Sequence, residues 1–311
     1  MPRQPVALPW WSRILLIVGS MFAVVPLIMV VDTIGVFGSM ILPYAWLLVA
    51  SVVIERLRGG NHVTLGLPLH ASSLHHVGKG ALSALGAVAA VVLVIVGIGG
   101  TWTVDLRLLD TPVLAVSSVG LTVMLAAGEE LLFRGVVFQA LHERFGAATA
   151  VLATSVPFGL AHLANPDAGA ISTINTIMAG VALGAMVTTY RSLWVAIGFH
   201  AAWNVGVAAA VGPLSGWDMM PFRFASVDTT MLDQWRWLVD GPYGIEEGAM
   251  TTIALVIIVI GTLRSNRYDA VVEAARYRRL FGEQRRTYTP LSAASSVQPE
   301  VPQLTPDDER I

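Results

Sequence analysis

Six polar side chains inside strongly apolar stretches have the types and spacing to do chemistry. Glu129, Glu130 and Arg134 lie in Gly128-Glu129-Glu130-Leu131-Leu132-Phe133-Arg134-Gly135. His162 closes Phe158-Gly159-Leu160-Ala161-His162, and His200-Ala201-Ala202-Trp203-Asn204 supplies an imidazole and an amide. Ionisable groups in a membrane-like segment are costly to keep, so each is a functional candidate. Neighbours on a helix point about 100° apart, so Glu129 and Glu130 cannot share one task. Glu130 and Arg134 are four residues apart with the acid first, the favoured order for an ion pair. That spacing predicts a structural pair and leaves Glu129 free to face other helices. His200 and Asn204 are also four apart and share a face. A carboxylate with two imidazoles can activate water against a carbonyl compound. In one version Glu129, His162 and His200 hold a divalent ion such as zinc, which lowers the pKa of its bound water towards ~7. In the other, preferred version no metal takes part: Glu129 is the general base. Asn204 and His200 then donate hydrogen bonds to a tetrahedral oxyanion.

The elements that must position these groups follow from composition. Hydrophobic residues make up 55% of the 311 and charged residues 13%, about half the ~25% of a soluble domain. Mean hydropathy is +0.67. So few charges cannot cover a soluble surface, and the chain reads as an all-α, polytopic membrane bundle. Net charge is −2 and cysteine is absent, which gives no reason to expect nucleic acid and excludes disulfides, thiol catalysis and thiolate zinc sites. Apolar runs of the ~20 residues needed to cross a bilayer are expected at 13–31, 34–54, 80–100, 111–142, 147–165, 168–190, 192–211 and 248–263. None alternates with period two, which argues against a β-barrel. The first run lacks a small-residue cleavage site and reads as a retained helix.

Depth brings the polar groups together. The fourth and fifth runs form a hairpin turning near Phe145-Gly146, and Pro157 predicts a bend in the fifth. Glu130 lies as far before the turn as His162 lies after it, to within about 3 Å of helical rise. His200 and Asn204 stand about 13–20 Å along the seventh run from Arg191. Glu129, His162, His200 and Asn204 can therefore occupy one layer.

Placing the N-terminus in the cytoplasm puts fifteen of the nineteen basic residues on the inner side and three on the outer, as the positive-inside rule requires. This predicts a multi-pass protein of a bacterial-type cell membrane with both termini cytoplasmic. The domain organisation expected is a membrane domain over 1–263 with its core at about 111–211, a basic amphipathic helix over 264–286 attracted to anionic lipid, and a disordered tail over 287–311. The segment 212–247, with six acids and Trp217, Trp235 and Trp237, reads as an outer loop. His62, His70, His75 and His76, in the inner segment 55–79, read as solvated loop histidines.

Three other intramembrane protease types are missing from the sequence. His142-Glu143 is not followed by a second histidine at zincin spacing, Ser215 lacks the rhomboid glycine two residues before it, and no Gly-x-Gly-Asp is present. Glu129-Glu130 with Arg134, Phe158 with His162, and His200 with Asn204 instead resemble the three motifs of the CPBP family, the CAAX prenyl protease type 2 and bacteriocin-processing or immunity membrane proteins. The resemblance covers about 111–211 and implies an eight-helix intramembrane endopeptidase acting on a membrane-bound or lipidated peptide, CAAX-type or bacteriocin-like. By the same resemblance Glu129 is the principal catalytic carboxylate, His162 its partner, and His200 and Asn204 the oxyanion donors, with either a metal or a metal-free glutamate mechanism. The rival expectation from the residues is a non-catalytic immunity scaffold, or a transporter using Glu129 and His162 as a proton relay. The absence of internal repeats argues against the transporter.

Overall fold

The computed structural model describes residues 8–31, 36–69, 71–104, 112–218 and 225–281, with backbone alone at 23–31, 36–41, 231 and 266–281. The chain divides into two compact units, Met1–Leu263 and Arg264–Ile311. In order the elements are α1 (Trp10–Val31), α2 (Val36–Leu57), α3 (Ala71–Gly97), β1 (Thr101–Val104), α4 (Pro112–Arg134), α5 (Val136–Phe145), α6 (Ala147–Ala161), α7 (Ala170–Tyr190), α8 (Leu193–Ala210), β2 (Ala225–Asp228), α9 (Arg236–Val239) and α10 (Ala249–Phe281). Apart from its ends, each expected span falls on helix where it is described, because a segment in lipid must satisfy its backbone polar groups internally. Among the described residues five helical stretches are long and apolar enough to cross a membrane: Ala71–Gly97, Pro112–Phe145, Ala147–Ala164, Ala170–Tyr190 and Leu193–Ala210. The protein is an all-α polytopic bundle. α10 is helical as far as Phe281, and the expected tail 287–311 lies outside the described residues.

Three details differ from the sequence expectation. The fourth span is two helices, because Gly135 departs from helical geometry (φ −76°, ψ −124°). A Cβ there would lie 2.1 Å from the Leu131 carbonyl oxygen, so only glycine allows the step. The third helix begins at Ala71, nine residues earlier than the apolar run, which puts His75 and His76 on α3 and not in a loop. His62 lies in the turns after α2, and His70 is outside the described residues. Third, β1 and β2 form a short antiparallel ladder, Thr101 opposite Asp228. The hairpin turn stands where expected: Gly146, at φ +84°, ends α5 and starts α6. α6 stays helical through Pro157.

Small residues set how closely the core helices approach, as in many membrane bundles. On α3 and α8, a Cβ on Gly80 would meet the Val195 oxygen at 2.1 Å and one on Gly198 the Val77 oxygen at 2.3 Å. α6 and α7 touch in the same way through Gly159 against Ile177 and Gly180 against Ser155. The helix ends then sort into two layers. At one end Arg13 of α1 pairs with Glu143 of α5 at 2.6 Å, Arg58 with Glu55 at 2.7 Å and with Glu143 at 3.0 Å. Lys79 lies over the Tyr190 ring there, and the Leu193 amide donates to the Gly66 carbonyl at 2.6 Å. We refer to this as the basic end. At the opposite, loop end Trp102 Nε1 donates to the Ala210 carbonyl, and the Val227 amide donates to the Val211 carbonyl.

Candidate active site

Glu130 and Arg134 are fully buried and paired at 2.9 Å one helical turn apart. Arg134 also donates to the Gly180 carbonyl of α7 at 3.2 Å, and its guanidinium lies 4.3 Å from the Phe158 ring centre. The pair thus ties α4 to α6 and α7. The same Glu130 oxygen accepts from His200 Nδ1 at 2.9 Å. Phe158 packs against both imidazoles, with ring centres 4.8 Å from His162 and 5.8 Å from His200. That position explains the phenylalanine of the second motif.

The hydrogen bonds fix which imidazole nitrogens face the site. His162 begins a 3-10 turn at the end of α6, and its Nδ1 lies 2.8 Å from the Phe158 carbonyl. A carbonyl and an ionised carboxylate only accept, so the Nδ1 of both histidines carries a proton. Each neutral ring then presents a bare Nε2. Both Nε2 atoms stand 3.8 Å from the same Glu129 oxygen, Oε2, which is buried without a hydrogen-bond partner. Three acceptors from three helices converge on one point, while Glu129 retains 30% of its side-chain exposure. Asn204, one turn after His200, lines the same cavity. The structure therefore brings Glu129, His162, His200 and Asn204 to one place.

The cavity measures about 540 Å³. Its wall away from the basic end is built by residues that spacing did not single out. Glu246, before α10, accepts from Trp203 Nε1 at 3.0 Å and from the Ser215 hydroxyl at 2.8 Å. Asn175 of α7 donates to the Glu246 carbonyl at 2.9 Å. Behind the wall Tyr243 accepts from the lining Asn165, and burial raises its phenol pKa above the usual value, so it stays neutral across the physiological range. Beside Glu129, Gly128 admits Tyr44 of α2, whose ring would overlap any Cβ there. None of these contacts joins residues at a helical or motif spacing, so the sequence carried no signal for them.

The carboxylate and two imidazoles are donors that zinc accepts. Ligands ~2.0–2.1 Å from a tetrahedral ion stand roughly 3.3 Å apart, closer than the 3.8 Å found here. Among the described residues no group of three His, Asp or Glu side chains is set to hold a metal. The residues as placed do not fit the ion.

Residues 111–206 match the family model described as Rce1-like, type II CAAX prenyl endopeptidase Rce1-like. The six polar residues all lie within that segment. Over that segment the chain is similar to the type II CAAX prenyl endopeptidases, whose motifs it carries. No curated protein and no solved structure matches the chain. α1 to α3, the loop after α8 and α10 lie outside the matched residues.

Proposed function

We propose that the protein is a membrane endopeptidase that hydrolyses a peptide bond of a membrane-associated or lipidated peptide with water activated by Glu129. The observation that carries this reading is the convergence of Glu129 Oε2 with the Nε2 atoms of His162 and His200 at 3.8 Å. A water between such acceptors donates one hydrogen to the carboxylate and the other to an imidazole, which aims its lone pair outward. Glu129 takes the first proton as the water oxygen bonds to the carbonyl carbon. The Asn204 amide donates to the oxyanion formed, and His200 adds a second donor when it enters the step already protonated, with Nδ1 held by Glu130, while the neutral His162 takes the water's other hydrogen bond. Glu129 then gives its proton to the leaving nitrogen as the C–N bond breaks, releasing an amine and a carboxylic acid.

The test is cleavage of a membrane-peptide library by purified protein. Glu129→Gln keeps shape and should fold normally while turnover disappears, and chelators should leave the wild-type rate unchanged. Turnover that survives in Glu129→Gln would refute the role of this carboxylate. One equivalent of zinc, lost together with activity on chelation, would refute the metal-free step.

A further inference from the structure

The direction in which the cavity runs says which side of the membrane serves it. On α7 its lining begins at Asn175 and stops at Leu183, and on α8 it begins at Phe199. No residue of α5, of the 59–69 turns or of the first turn of α8 takes part. Towards the basic end the way is filled by Glu130, Arg134, Val136, Phe138 and Leu193, each at most 1% exposed. In the other direction the lining continues through Asn165, Leu214 and Ser215 to Trp217, which is 51% exposed. The site is thus closed towards the basic end and reached from the loop end. Among the described residues Arg13, Arg56, Arg58, Lys79, Arg144 and Arg191 stand at the basic end, which makes that end cytoplasmic by the positive-inside rule. Among the described residues no lysine or arginine lines the cavity with its two carboxylates, Glu129 and Glu246.

Resting on the endopeptidase reading above, we propose that the cavity takes its substrate from the outer, extracytoplasmic face. The substrate is a peptide segment presented at that face, neutral or basic beside the bond to be cut. Acidic side chains would enter against two carboxylates in a weakly screened site, which costs more than in water. Trp217 marks the mouth.

The native chain has no cysteine, so single cysteines report the sides directly. Trp217→Cys should react with a membrane-impermeant maleimide in intact cells, and the exposed Val63→Cys at the basic end only after permeabilisation. The reverse pattern would overturn the proposal. In sealed vesicles, an impermeant peptide added to the bath should be cleaved when the vesicles are right-side-out, and in inside-out vesicles only after detergent. Cleavage confined to intact inside-out vesicles would overturn it as well. A Lys-flanked peptide should have at least a tenfold higher kcat/KM than its Glu-flanked twin, and the opposite order would remove the charge argument. If protein in detergent cleaves nothing, the endopeptidase reading fails by itself, and the labelling pattern still decides which face the cavity meets.

Discussion

Glu130 holds two donors from different helices on one oxygen, Arg134 at 2.9 Å and His200 at 2.9 Å. It therefore acts on the site through His200 while anchoring α4. Removing one partner of a buried pair leaves the other charge uncompensated, at a cost of ~3–5 kcal/mol. Glu130→Ala should lower the yield of folded protein and its melting temperature, whereas Glu129→Gln should leave both unchanged. Normal melting of Glu130→Ala with lost turnover would mean that Glu130 and not Glu129 carries the chemistry. Asn204 lines the cavity, so Asn204→Ala should fold and lose roughly 10²–10³ in kcat, the scale of one deleted oxyanion donor. Steady-state kinetics on folded protein measures this. Phe158 stacks on a buried guanidinium, a contact worth up to about 2 kcal/mol where water is excluded. Phe158→Leu should reduce thermal stability by that order, read by melting in detergent.

Helices meet closely where glycine removes the side chain between them. Gly198 lies two residues before His200, and its face is pressed on the Val77 backbone of α3. Backbone cannot move aside as a flexible side chain can, so Gly198→Val forces α3 and α8 apart. Overpacking of this kind typically costs ~1–3 kcal/mol. The expected result is a lower melting temperature together with a fall in kcat, since His200 is carried away from Glu129. Unchanged activity at reduced stability would show that α8 absorbs the strain without moving His200. The step at Gly135 works at the same scale. It ends α4 directly after Arg134 and lets α5 turn to meet Arg13 and Arg58 through Glu143.

At the scale of the whole molecule, residues before 111 clamp α5 from outside the matched segment. Glu55, 1% exposed, faces Arg58 at 2.7 Å and Arg13 at 3.9 Å, and Arg13 is itself 3% exposed. Glu55→Ala removes charge from a network that joins α1, α2 and α5 but keeps Glu143 on Arg13. The expected loss is about 3 kcal/mol, the low end for a broken buried pair, with kcat per folded molecule unchanged. Melting and specific activity measured on one preparation separate the two. A fall in kcat would instead mean that the clamp adjusts the site.

Amount and spacing of apolar residues determined the class of this protein by themselves, because only continuous helix satisfies a backbone in lipid. The eight apolar runs, the Phe145-Gly146 turn and the Glu130–Arg134 pair were legible in this way, being local: each depends on residues a few positions apart. Depth counting also put Glu129, His162, His200 and Asn204 in one layer. It could not say which nitrogen faces the carboxylate, because that is set by Phe158 and Glu130 through the fold. The break at Gly135 was hidden by an apolar pattern that continues across it. The Glu246 contacts with Trp203 and Ser215, and the seat of Tyr44 on Gly128, join residues more than thirty positions apart in chain order. Such contacts leave no periodic trace, since the chain between them is free to vary. Only the tertiary structure decided that the cavity closes towards the basic end and runs to the loop end.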